Sequence, residues 1–234
     1  MDITAKQALT ALQEKSDKKI AEHSARFFKT AEGEYGEDDI FLGIRVPVIR
    51  SFVKRWLTMP LLQNEKLLHS PYHEARLAAV ILLSEKFKRA DSKTQKAIYQ
   101  LYLNNTAYIN NWDIVDSSSH KIIGPYLFEK SHQPLFKLVK SDQLWERRIA
   151  IITTYYFIKR QKFETALELI SQTLTDKEDL IHKASGWMLR EIGNKDRSTE
   201  ESFLNEHYQV MPRTMLRYAI EKFPLSRRKY YLKK

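Results

Sequence analysis

The sequence predicts an all-α protein, an α-solenoid of stacked HEAT-like helical pairs, and three observations lead there. Apolar residues recur at spacings of three and four, as in HEARLAAVILLSEKFK (73–88) and WERRIAIITTYYFIKR (145–160);. Only 6 glycines occur in 234 residues, and no Asn-Gly or Asp-Gly pair separates alternating apolar runs, so hairpins have no turn chemistry to start from. Five similar segments recur, EARLAA, WDIVDS, ERRIAI, HKASGW and RTMLRY, whose aligned positions Arg76, Asp113, Arg148, Lys183 and Thr214 are 37, 35, 35 and 31 residues apart. A period in the thirties with room for two helices is the signature of a stacked array.

In chain order, residues 1–40 supply N-terminal helices and an acidic loop, 41–224 the repeat array and 225–234 a basic, solvated tail, all within one domain. The loop TAEGEYGEDDI (30–40) carries five acidic residues with Gly33 and Gly36. In FLGIRVPVIRSFVKRW, Pro47 suits a first helical turn and Val48 to Trp56 is amphipathic and basic;. Helices between the repeats are predicted at 93–105, 133–140, 163–174 and 198–208. Ser198 followed by Glu201 has capping-box spacing;. One helix of each stacked pair lines a concave face, and here that face would carry Arg76, Arg148 and Lys183.

Lys plus Arg number 39 against 29 Asp plus Glu, a net charge of +10. That excess suits nucleic acid or an anionic membrane surface. No apolar run is long enough to span a bilayer, and MDITAKQALTALQEK lacks the pattern of a secretory leader; a cytoplasmic protein is expected. With no Cys there is no disulfide, thiolate nucleophile or thiolate metal site;. The seven His show no HExxH spacing, and GxGxxG, GxxxxGK[ST] and GxSxG are all missing;. Metal, nucleotide cofactor and serine hydrolysis are therefore not expected, and a monomer is the default.

The side chains of most chemical interest are Trp112, Asp116, Arg148 and Trp187. In NNWDIVD (110–116), Trp112 and Asp116 stand one helical turn apart, and Lys183, Trp187 and Arg190 share one face further on;. A cationic groove would hold a phosphate backbone, and indoles would pack on sugars or bases. A carboxylate facing that polyanion is costly unless positive charge develops in the bound state. Cleavage of a glycosidic bond supplies such a charge, because its transition state is oxocarbenium-like. The plainer alternatives are that each Trp is core, that Asp113 is a first-turn acid, that Asp116 pairs with Arg148 or Lys121, and that Ser117, Ser118 and Ser119 make a polar helix face.

FLGIRVPVIR (41–50), NNWDIVDSSSHKIIGPYL (110–127), LWERRIAIITTYYFIKR (144–160), DLIHKASGWMLREIG (179–193) and MPRTMLRYAIEKFP (211–224) together resemble the AlkD-type DNA alkylation repair family, the HEAT-like-repeat DNA glycosylases. The resemblance implies a C-shaped solenoid with duplex DNA on its concave face and excision of positively charged N3- and N7-alkylpurines, with no cofactor and no base-binding pocket. It implies Asp116 as catalytic carboxylate, Trp112 and Trp187 as sugar-packing indoles, and Arg148 on a phosphate. Lys183, Arg190, Arg76 and Arg45 complete the expected DNA-contacting set. Phe27 stands where some members carry Tyr. Two rival expectations are a non-catalytic protein of this fold that binds distorted or branched DNA, and a protein-binding scaffold.

Overall fold

The computed structural model describes residues 3–233, and among these the chain is helical, with one isolated bridge between Ile40 and Tyr72 and no strand. It divides at Ile122–Ile123 into two compact units. The first unit contains α1 (Ala5–Gln13), α2 (Lys18–Phe27), α3 (Val46–Arg55), α4 (Leu61–Leu68), α5 (His73–Phe87), α6 (Ser92–Asn104) and the start of α7 (Trp112–Leu127). The second holds α8 (Gln133–Leu138), α9 (Leu144–Thr153), α10 (Tyr155–Ile158), α11 (Glu164–Ser171), α12 (Asp179–Gly193), α13 (Arg197–His207), α14 (Arg213–Ala219) and α15 (Leu225–Leu232). The five repeat positions fall near the starts of α5, α7, α9, α12 and α14, so the period read from the sequence marks every second or third helix.

α5 is the core helix of the first unit. Twelve consecutive residues from His73 to Ser84 are buried, which is why its sequence reads apolar on every side rather than as a stripe. The polar residues on it are consequently enclosed and must find partners. Glu74 accepts N–H bonds from Leu42 at 2.9 Å, Gly43 at 2.7 Å and Ile44 at 3.1 Å. That clasp fixes the loop entering α3. Gly43 has φ +81°, and a Cβ there would lie 2.0 Å from the Asp17 carbonyl oxygen, so only glycine lets the start of α2 approach;.

Arg76 departs from expectation. It is 5% exposed. Its Nη1 donates to the carbonyls of Ser70 and Pro71, both at 3.0 Å, and Nη2 pairs with Asp39. In the second unit Arg147, not Arg148, repeats this arrangement. It donates to the Ser141 and Asp142 carbonyls at 2.9 and 3.0 Å and to Asp176 at 2.8 Å. A guanidinium that bonds the carbonyls five and six residues back, plus one carboxylate, is a structural clasp of the repeat. The alignment of Arg76 with Arg148 is thus displaced by one residue, and the Arg76 guanidinium is held by this clasp.

Three boundaries also differ. The apolar stretch 145–160 is two helices, because Thr154 Oγ1 bonds back to the Ile151 carbonyl at 2.7 Å where α9 ends;. The cap of α13 is Asp196, which accepts from the N–H groups of Ser198 and Thr199. A carboxylate at that position outcompetes the Ser198 capping box, and these bonds, that from the Ser198 side chain first, hold Asp196 down at about 2;. The basic tail is not a solvated end: it forms α15, anchored by the fully buried Tyr231, whose hydroxyl donates to Asn205 at 2.9 Å.

Candidate nucleic-acid interface

The NNWDIVD segment explains itself from its first residue. Asn111 is fully buried. Its Oδ1 accepts the Trp112 N–H at 2.8 Å, and its Nδ2 donates to Asp39 Oδ2 at 2.9 Å. Asp39, the last acid of the 30–40 loop, thus binds Arg76, His73 and Asn111 at once. Burial opposes its charge, but the His73 bond, the Arg76 guanidinium and Asn111 outweigh that and hold its carboxyl below the usual range;. The acidic loop is therefore turned inward at Asp39 and tied to the start of α7.

Asp113 is a first-turn acid, and it has a partner on α5. His73 Nε2 lies 2.9 Å from Asp113 Oδ2, and His73 Nδ1 lies 3.2 Å from Asp39 Oδ2. Burial works against a charged ring, yet Asp113 and then Asp39 raise His73 to about 9, so it is an imidazolium at neutral pH. No local pattern marks this pair of ion bonds; a His at the first position of a buried helix was the available clue.

Trp112 is half-buried. The Phe28 ring stacks on it with centroids 5.2 Å apart at 25°, and Phe27 meets it edge-on at 6.0 Å. Phe28 in turn stacks on Phe41 at 5.1 Å and contacts His73 at 4.9 Å. The end of α2 and the 41–44 loop therefore fix the orientation of the indole. Phe27 is 58% exposed beside it. Asp116, one turn along α7, is half-buried. Burial raises the Tyr102 hydroxyl, and the Asp116 charge adds to that rise, while Ser118 bonds the same hydroxyl at 2.8 Å. Ser118 and Ser119 are buried, so of the three serines only Ser117 is partly open to a phosphate. Arg45 is exposed at the start of α3.

In the second unit Arg148 is 5% exposed, and its Nη1 donates to the Leu180 carbonyl at 2.5 Å, which joins α9 to α12. Trp187 lies two turns further along α12, half-buried, with its N–H on Glu191 at 3.0 Å and its ring 5.7 Å from that of Tyr155. The expected pattern of base, indole, base is present on α12, but each cation has an acid beside it. Lys183 pairs with Asp179 at 2.7 Å, and Arg190 pairs with Glu221. α12 itself lies tight against α14, since a Cβ on Gly186 would come 2.4 Å from the Met215 carbonyl oxygen. Among the described residues no group of three His, Asp or Glu is placed to hold a metal, and no helix is long and apolar enough to cross a membrane.

A family described as DNA alkylation repair enzyme matches residues 8–223. A predicted DNA alkylation repair enzyme from Enterococcus faecalis superposes with a TM-score of 0.70 at 19% identity, over 90% of this chain and 97% of that one. The protein smu.31 from Streptococcus mutans UA159 superposes at 0.55 and 15% identity, over 94% and 98%. At these identities the likeness concerns the fold. No curated protein matches the sequence. With nearly the whole chain matched, this protein belongs to the DNA alkylation repair enzyme family.

Proposed function

We propose that the protein is a DNA glycosylase that hydrolyses the N-glycosidic bond of cationic N3- and N7-alkylpurines in duplex DNA. The observation that supports this best is Trp112 and Asp116 one turn apart on α7, with the indole held by Phe28. In the reaction the C1′–N bond breaks and its electron pair leaves with the base, cancelling the base's positive charge. The sugar becomes oxocarbenium-like, and Asp116 stabilises that charge and positions a water. Water adds at C1′ and its proton passes through the carboxylate to solvent, leaving an abasic site. Because the departing base is already cationic, a second carboxylate acting as acid is unnecessary. Trp112 and Trp187 pack on the deoxyribose. Arg45, Arg148, Lys183 and Arg190 neutralise phosphates, Arg148 after releasing the Leu180 carbonyl and the last two after exchanging their acidic partners for the backbone; Arg76, tied by Asp39 as well as by two carbonyls, is withdrawn from this set.

The test is release of free 7-methylguanine and 3-methyladenine from methylated duplex. Release above spontaneous depurination supports the proposal. Tight, salt-sensitive duplex binding without release supports the non-catalytic reading, in which the fold recognises DNA structure alone.

A further inference from the structure

The Trp187 indole is held by an acid that pairs with no cation. Trp187 Nε1–H donates to Glu191 Oε1 at 3.0 Å, one turn further along α12;. Among the described residues no Lys, Arg or His forms an ion pair with Glu191, and on the same helix Lys183 is engaged by Asp179 and Arg190 by Glu221. The indole ring also lies 5.7 Å from that of Tyr155, tilted by 40°.

The backbone beneath the indole is fixed, because Ser185, Gly186, Met188 and Leu189 are buried and Gly186 lies tight against α14. What a half-buried Trp still has free are its two side-chain torsions. A carboxylate on the N–H edge selects one orientation, since turning the ring over would carry that N–H away from its acceptor. Electrostatics gives no reason for an acid here. On a basic protein that holds phosphates, an unpaired carboxylate repels the polyanion and lowers its affinity. Deepening the glycosylase reading and resting on it, we propose that Glu191 is a positioning residue, whose bond to the N–H edge sets the Trp187 ring for the deoxyribose of the alkylated nucleotide before DNA arrives. Glu191 acts through the hydrogen bond and not through its charge. It touches neither the base nor the sugar and takes no proton in the reaction.

Three variants separate the bond from the charge. Glu191→Gln keeps an acceptor oxygen and loses the charge, Glu191→Asp keeps the charge on a stem one methylene shorter, and Glu191→Ala loses both. Methylated-base release is measured under single-turnover conditions, with duplex affinity and Tm measured alongside. Release falls about tenfold in the Asp and Ala variants and stays within about threefold of native in the Gln variant. Duplex affinity is not lowered in the Ala and Gln variants, because each has lost an acid that faces phosphates. In ¹⁵N-labelled protein the Trp187 indole N–H resonance, assigned with Trp187→Phe, keeps its position in Glu191→Gln and moves in Glu191→Ala. The inference is overturned if folded Glu191→Ala releases base like the native chain, if the Gln variant falls as far as the Ala variant, or if release and duplex affinity fall together. Native release with an unaffected Ala variant strikes this inference alone. No release by the native protein strikes the glycosylase reading, and this inference with it.

Discussion

The buried imidazolium of His73 makes a definite claim about stability and pH. Its pKa is raised from 6.5 to about 9 against its own burial, chiefly by Asp113 and then Asp39. A group whose folded value is raised contributes stability that is complete below the unfolded value and lost as pH climbs through the folded one. Two and a half units at 1.36 kcal/mol each give about 3 kcal/mol, removed between pH 6.5 and 9. Glu200 acts in the same direction. It is 1% exposed, packed against Gly193, and burial lifts it from 4.5 to about 8. Arg197 lies 3.6 Å away but is engaged over the Phe223 ring and offsets that burial only in part. A neutral Glu200 in the fold costs stability as pH rises from 4.5 to 8, by about 5 kcal/mol. Both slopes overlap between pH 6.5 and 8, so they must be separated by mutation. Urea unfolding at pH 5.5, 7 and 9.5 should show native stability falling with pH. Glu200→Gln should keep only the part above pH 6.5, and adding His73→Gln should flatten the remainder. An unchanged slope in the double variant, or a His73 ring that titrates near 6.5 by NMR, would refute the ion-paired assignment.

Three further outcomes are expected. Arg76→Ala removes the partner of a buried carboxylate and two carbonyls, and should cost about 3–5 kcal/mol in urea unfolding; a loss under 1 kcal/mol would return Arg76 to the surface. Arg148→Ala should weaken binding to every duplex alike, lesion or not, and lower the slope of log affinity against log salt by about 1. An unaltered slope takes it out of the phosphate-binding set. Trp187→Ala should lower base release more than it lowers stability, since the indole is only half-buried; a large fall in Tm with full activity would make it a core residue.

Helix type and order were legible because buried helices announce themselves by period, and the recurrence of the α5, α7, α9, α12 and α14 starts survived in the sequence. The pairing of Arg76 with Arg148 failed because consecutive arginines at 147 and 148 look alike in a string. Only the carbonyls five and six residues back reveal which one clasps. That Trp112 and Asp116 share one helix, a turn apart, was legible from their four-residue spacing. Phe28, Asp39 and His73 were not, because they reach Trp112, Asn111 and Asp113 across 84, 72 and 40 residues of chain, with Phe41 joined to them only through Phe28 and His73, and no local pattern encodes that approach. The tail misled for a similar reason: in RRKYYLKK the charge dominates the composition, while the single buried Tyr231 decides the structure.

The most direct test of the central proposal compares native protein with Asp116→Asn on methylated duplex DNA under single-turnover conditions. The account predicts release of 7-methylguanine and 3-methyladenine by the native chain, a fall of about a hundredfold or more in the variant, and duplex affinity held within about threefold. Equal release by both proteins would contradict it and leave the carboxylate of NNWDIVD outside the chemistry.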